Sequence, residues 1–236
     1  MHHQEKTRAA IRRMIIIALF CAMAYVVMLV THNIKVAFLS LDAKDAVITL
    51  CGLCFGPLSA LIVSIIVPVF ELAVSSTGYY GLIMNILGSV SFSVTASLIY
   101  KYKKTLFGAI AALLSAAFVM IAVMLTANLF ITPLFMAANG MTTTTVREMI
   151  PTLLFPFNLL KAITNVGIVL LLYKPTSRAL RRTGFLPYRK SGAAAQAKPA
   201  GKMLVSVIVS TVAVLLIVIS MVLIFTVFQG TFDFGL

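Results

Sequence analysis

Charge is what this 236-residue chain has least of: 11% of its residues are charged and only six are acidic. With 61% hydrophobic residues and a mean hydropathy of +1.07, that excludes an ordinary soluble domain. Phosphate-binding machinery is missing too. No G-x-x-x-x-G-K-[ST] loop occurs, so the chain does not hydrolyse ATP by itself. Of three histidines, two stand at the extreme N-terminus and His32 follows the first apolar run. No paired-carboxylate, Ser/His or His/Glu pattern accompanies them, so neither a catalytic nor a metal cluster can be assembled, and no cofactor is expected. The three cysteines, Cys21, Cys51 and Cys54, all fall in apolar runs. Cys51 and Cys54 form a C-x-x-C without a second pair or a nearby histidine, and small packing residues are the simpler reading there. No internal repeat is visible, which counts against an inverted-repeat architecture.

Long apolar runs are what remains. They fall at about 14–30, 45–55, 57–76, 82–100, 106–136, 150–173 and 203–228. A crossing needs about 20 apolar residues, so the chain reads as an all-α polytopic membrane protein in a lipid bilayer. The basic N-terminus, residues 1–13, leads into a run without a small-residue cleavage site, which predicts a retained first helix. The second run is too short to cross untilted, and Gly56-Pro57 ends it.

Basic residues decide whether that short run counts. If it does, Lys6, Arg8, Arg12 and Arg13, the Lys101/Lys103/Lys104 cluster and the eight basic residues from Lys174 to Lys202 share one side, 15 of the 19 Lys and Arg. Lys35, Lys44 and Arg147 fall opposite, and Lys161 lies within the membrane. Omitting the run destroys the asymmetry, so it is expected to cross, extended outward through Ala43-Lys44-Asp45. This puts the N-terminus in the cytoplasm. It also explains the net charge of +13 without nucleic acid, since the basic residues lie between apolar runs and not on one soluble face. The expected layout is a six-helix membrane domain at 14–173, a basic cytoplasmic linker at 174–202, an appended seventh helix at 203–228 and an external tail at 229–236. The seventh run has no mid-membrane polar residue beyond Ser and Thr, so it is not expected to join a site.

Polar side chains inside apolar runs must find partners away from water. They are Glu71, Asn85, Asn128, Asn158, Lys161 and Asn165, all toward the same, outer half. Positions 158, 161 and 165 are spaced i, i+3, i+7, on one helical face. A lysine at mid-helix costs about 2.5–3.5 kcal/mol on insertion scales, so that face points inward. Lys161 then either pairs with Glu71 as interhelical glue or, with the asparagines, contacts a polar ligand, neutral or anionic. The first external loop, "THNIKVAFLSLDAKDAV", reads as a short, extended lid ending in Asp42 and Asp45, with a plain solvated hairpin as the alternative. In the first helix Ala18 and Ala22 have the small-x-x-x-small spacing that lets another helix approach.

Five stretches carry a resemblance: "RRM...ALFCAMA" in the first run, "FLSLDAKDAVITLCGLCFGP" through the lid and second run, "YYGLIMNILGSVSF", "TANLFITPLF" and "FPFNLLKAITN". Together, over about residues 8–175, they resemble the substrate-binding S components of energy-coupling factor (ECF) vitamin transporters, most closely the riboflavin-specific type. The resemblance implies a six-transmembrane-helix S-component fold with a pocket under the first external loop. It implies no enzyme activity but a subunit of a multi-pass cell-membrane transporter that binds riboflavin. Its partners would be a transmembrane coupling subunit, which docks on Ala18 and Ala22, and two ATP-binding-cassette ATPases. It suggests Asn128, Asn158 and Lys161 as ligand contacts, with Asn85, Asn165, Leu41 and Asp42 further candidates. The seventh run departs from the six helices of that family. Pantothenate, whose carboxylate would suit Lys161, is the alternative vitamin; a stand-alone secondary carrier and a non-transporting scaffold are alternatives of other classes.

Overall fold

The computed structural model describes residues 2–75, 77–137, 140–185, 200–228 and 230–232. Helix α1 (His2–Thr31) leads into a hairpin of β1 (Ile34–Val36) and β2 (Leu39–Leu41). Helices α2 (Lys44–Phe55), α3 (Pro57–Glu71), α4 (Gly78–Tyr102) and α5 (Leu106–Phe135) follow. Next, α6 (Thr143–Met149), a π-helical turn (Ile150–Leu154) and α7 (Phe155–Arg182) form one helical span. Helix α8 (Ala200–Thr226) and β3 (Thr231–Phe232) close the described chain. Among the described residues, five spans are long and apolar enough to cross a membrane: Ala10–Thr31, Gly78–Tyr102, Leu106–Phe135, Thr143–Arg182 and Val207–Thr226.

The short second run is a helix of 12 residues, starting at Lys44 as its expected extension required. At 1.5 Å per residue it spans about 18 Å, well short of the ~30 Å hydrocarbon core. It meets little lipid, because every residue from Lys44 to Leu53 is buried among α1, α3, α4 and α7. Gly56, at φ 96°, breaks the path, and Pro57 opens α3, which returns toward the hairpin.

Direction alternates along α1, α2, α3, α4, α5 and α7. The end of α1, start of α2, end of α3, start of α4, end of α5 and start of α7 gather around the hairpin. At the far end Arg13 donates to Ser59 Oγ (3.3 Å), Arg12 lies over the Phe185 ring (5.2 Å to its centroid) and the Tyr100 and Tyr173 hydroxyls hydrogen-bond. The basic clusters next to these residues therefore share the end opposite the hairpin, as the charge count required. The apolar core between the ends draws on α1, α2, α3, α4, α5 and α7.

Two features depart from the expected layout. Helix α7 continues past Tyr173 to Arg182, so the first part of the expected linker is helical; residues 186–199 lie outside those described. The tail is not isolated either, since β3 pairs with β1 to make a three-stranded sheet ordered β2-β1-β3.

Helix α2 has no cap of its own. Ala43 precedes it without a side-chain cap, and Asp45 lies in its first turn. The first-turn N–H of Ala46 is shared between the Ala43 carbonyl (3.2 Å) and, from another helix, Asn165 Oδ1 at 3.0 Å. The same amide donates to the Lys161 (3.0 Å) and Asp42 (3.4 Å) carbonyls, so one α7 side chain grips the junction of hairpin and α2. Asn165→Ala should cost about 1–2 kcal/mol, the worth of a helix cap, read as a lower melting temperature in detergent. An unchanged melting temperature would show that α2 is held without it.

Candidate functional site

Between the hairpin and the ends of α4, α5 and α7 lies a cavity of about 350 Å³. The hairpin supplies one wall. Val36 pairs with Leu39, leaving Ala37 and Phe38 as a two-residue turn. Ala37 takes φ 52°, a left-handed conformation that costs a non-glycine residue about 1–2 kcal/mol, and both turn residues line the cavity. Apolar lining comes from Tyr80 and Met84 of α4, Met124 and Phe135 of α5 and Phe157 of α7. The π-helical turn, which contains Pro151, immediately precedes the α7 residues that face the cavity, where an added residue in the helical path alters side-chain direction.

A chain of buried charges runs beside the cavity. Lys161 Nζ of α7 donates to Asp42 Oδ2 at 3.1 Å and lies 3.9 Å from Asp45 Oδ2. The other Asp42 oxygen faces Lys44 Nζ at 3.0 Å, and Lys44 reaches Glu71 Oε2 of α3, also at 3.0 Å. Glu71 Oε1 in turn lies 3.4 Å from His32 Nδ1. Lys44 makes these contacts as ion pairs off the line of a hydrogen bond, and both Glu71 oxygens are likewise without one among the described residues. Burial alone would raise the Asp42 carboxyl, but the facing ammonium groups of Lys161 and Lys44 outweigh it and hold the group well below the usual carboxylate range. A lowered carboxyl stabilises the closed arrangement above its unfolded value near pH 4, so the tie is intact at neutral pH and lost only in acid below that. Three of the six acidic residues, Asp42, Asp45 and Glu71, sit in this one cluster.

A stripe of hydroxyls extends the polar cluster between α2 and α4. Ser89 donates to Asp45 Oδ1, Ser93 meets Thr49 at 2.9 Å, and Ser97 donates to the Ser93 carbonyl. The four-residue spacing of these serines, visible in the sequence, puts them on one face of α4.

The expected site residues divide into two layers. Asn85, Asn128, Asn158 and Lys161 line the cavity. Asn128 donates to the Met124 carbonyl and accepts from Thr132 Oγ1, both at 2.8 Å, and Asn158 donates to the Leu154 carbonyl at 2.8 Å. Each amide keeps an unspent donor or acceptor. Asn165, Asp42 and Leu41 lie behind this surface. Asn165 and Asp42 position α2 and Lys161, and Leu41 is buried against Ile34, Val36, Phe157 and Leu160. The pairing of Lys161 with Glu71 is not formed: Glu71 lies against Lys44 and His32, and Asp42 takes Lys161.

Lys44 was missed because its position beside a loop suggested solvent, yet it is completely buried. The alternating charges of Asp42, Lys44 and Asp45 next to a run too short to cross unaided were its signal. His32, which lines the cavity, could have been found by depth, since it ends one apolar run as Glu71 ends another. On the outer surface of α1, Ala18 and Ala22 are exposed while Ala24 is buried.

A model of the family described as "ECF transporter, substrate-specific component" matches residues 12–173. The chain is 28% identical over 176 residues to a riboflavin transporter, RibU, of Staphylococcus aureus (strain TCH60), covering 72% of this chain and 93% of that protein. A solved structure of the S component of a bacterial ECF transporter superposes with a TM-score of 0.60 at 29% identity, covering 72% of this chain and 98% of the other. This chain therefore belongs to the ECF transporter S components, membrane-spanning, substrate-specific subunits of all-α fold.

Proposed function

We propose that this S component binds riboflavin and mediates its uptake across the cytoplasmic membrane with an ECF coupling subunit and two ATP-binding-cassette ATPases. The observation that carries the reading is a cavity whose one buried lysine on the wall is already matched by a carboxylate. Lys161, Lys44 and, on the hairpin, Lys35 bring three positive charges; Asp42, Asp45 and Glu71 bring three negative ones. Among the described residues the lysines around the cavity are already engaged, which favours a neutral ligand over the carboxylate of pantothenate.

A flavin suits the remaining chemistry. Its ring system offers a broad apolar face to Tyr80, Met84, Met124, Phe135 and Phe157, and its acceptor edge suits Lys161 and the asparagine amides. The hydroxyls of its polyol chain are donors, and Glu71 lines the same cavity with carboxylate oxygens free of hydrogen bonds among the described residues. The volume falls at the lower end of the ~300–1,000 Å³ usual for small-molecule sites. The name of the S. aureus relative points the same way. The basic clusters opposite the hairpin support a cytoplasmic N-terminus and an outward-facing cavity. Exposed Ala18 and Ala22 on α1 offer the close helix approach that docking on the coupling subunit needs.

Protein purified in detergent from riboflavin-containing medium should be yellow and, once emptied, should quench added riboflavin fluorescence, with excess pantothenate failing to compete. Colourless, non-quenching protein would sink the flavin reading. Asp42→Asn leaves Lys44 with Glu71 but Lys161 with only the more distant Asp45, at 3.9 Å, and should destabilise by about 3 kcal/mol. Lys161→Met leaves Asp42 with Lys44, so its melting temperature should fall less, while riboflavin affinity drops about tenfold or more from the lost charge-assisted hydrogen bond. Intact binding in Lys161→Met would make the lysine purely structural. Replacing Ala18 and Ala22 by Leu should spare binding and abolish uptake; unchanged uptake would remove the docking role. Uptake in cells without ECF ATPases would favour a secondary carrier instead.

A further inference from the structure

The family match ends at residue 173, so α8 and β3 lie outside it. A helix without mid-membrane polar groups is expected to stand apart from the site, yet its far end reaches the hairpin that walls the cavity. Helix α8 runs against α7 so closely that a Cβ on Gly167 would come within 3.0 Å of the Ala213 carbonyl and 2.8 Å of Ile217 Cγ1. At the hairpin end, fully buried Ile224 joins Ile34, Val36, Leu41, Phe157 and Leu160 in one apolar cluster. The chain then turns back, with the Phe228 N–H on the Leu223 carbonyl (3.3 Å) and the Gly230 N–H on the Ile224 carbonyl (2.9 Å). Beyond the turn, β3 pairs antiparallel with β1, Thr231 opposite Lys35 and Phe232 opposite Ile34.

We infer that α8 and β3 form a built-in brace that holds the hairpin closed over the cavity, with Ile224 as its positioning residue. A two-stranded hairpin of three-residue strands is marginal alone, and a third strand with an apolar underside makes it persist. Without β3, β1 would be an edge strand with one row of backbone groups unpaired. The braced segment is the cavity wall itself, since Lys35, Ala37, Phe38, Leu39 and Ser40 all line it. A ligand beneath it is held in part by this sheet. The brace slows release, whatever the ligand's identity.

The test compares the full chain with a chain ending at Phe228, which keeps α8 whole, and with Ile224→Ala and Ile224→Val. Hydrogen exchange is measured on ligand-free protein in detergent. In the truncated chain and in Ile224→Ala, amides of residues 34–41 should exchange about tenfold faster, the ratio that one or two net hydrogen bonds represent, with α4 and α5 unchanged. Ile224→Val should stay near the wild-type rate. Riboflavin dissociation, followed by fluorescence recovery, should quicken by a similar factor while the melting temperature of the truncated chain holds. Lid exchange unaltered in both the truncated chain and Ile224→Ala would overturn the brace. Faster lid exchange with an unchanged dissociation rate would overturn its control of release. A full-length protein that ignores riboflavin defeats the flavin reading alone, because the exchange comparison needs no ligand.

Discussion

Asp42 between two lysines is the contact on which the lid end of the molecule depends. Its two oxygens face Lys161 of α7 and Lys44 of α2, and through Lys44 and Glu71 the chain of charges reaches α3 and His32 at the end of α1. Ion pairs at this burial add little net stability over well-packed apolar residues, because desolvation offsets most of their attraction. What they add is position. Each charge is tolerable only while its partners stay within about 4 Å, so four separated segments are held in one arrangement and the hairpin is anchored at its C-terminal end. An apolar cluster of the same volume would let those segments slide. The ion pairs leave the cavity wall fixed, with Lys161 and Glu71 still presenting polar atoms to it.

That anchoring also accounts for a helix too short for a bilayer. Helix α2 begins at the charged junction, is capped by Asn165 from α7, and meets a stripe of α4 serines along its length. Its polar side chains thus find partners in neighbouring helices instead of water. Because its surroundings are protein, the mismatch between 12 residues and the hydrocarbon thickness has little to act on. Its length is set by the distance from Asp42 to Gly56, not by the membrane.

Much of this was legible before any coordinates, for a common reason: in an apolar chain each buried polar residue must be answered. Insertion cost turned Lys161 inward, and the i, i+3, i+7 spacing put Asn158 and Asn165 with it; all three are buried there, two on the cavity and one behind it. Counting basic residues placed the Lys101 and Lys174 regions at one end, and the contacts of Arg12, Arg13 and Tyr173 put them there. The choice of partner for Lys161 was not legible. Asp42 and Glu71 lie at similar depth, and only the path of the hairpin brings Asp42 to α7 and leaves Glu71 to Lys44. The role of α8 was hidden for the opposite reason. Its contacts are backbone pairing and an isoleucine in an apolar cluster, and neither leaves a mark on hydropathy.

The two ends of the hairpin are therefore secured by different physics. Its exit into α2 is held by charge, strong at short range and dependent on several ionised groups at once. Its first strand is held by β3 and by apolar packing on Ile224, contacts that are individually weak and can be made and broken without exposing a charge. Opening the cavity from the charged end would strand Lys44 and Lys161 away from water, whereas opening from the β1 side costs a few backbone hydrogen bonds and some apolar contact. The β1 side is thus the easier one to lift, and the appended helix adds its contacts there. It does so by packing on α7, while Ala18 and Ala22 of α1 stay exposed.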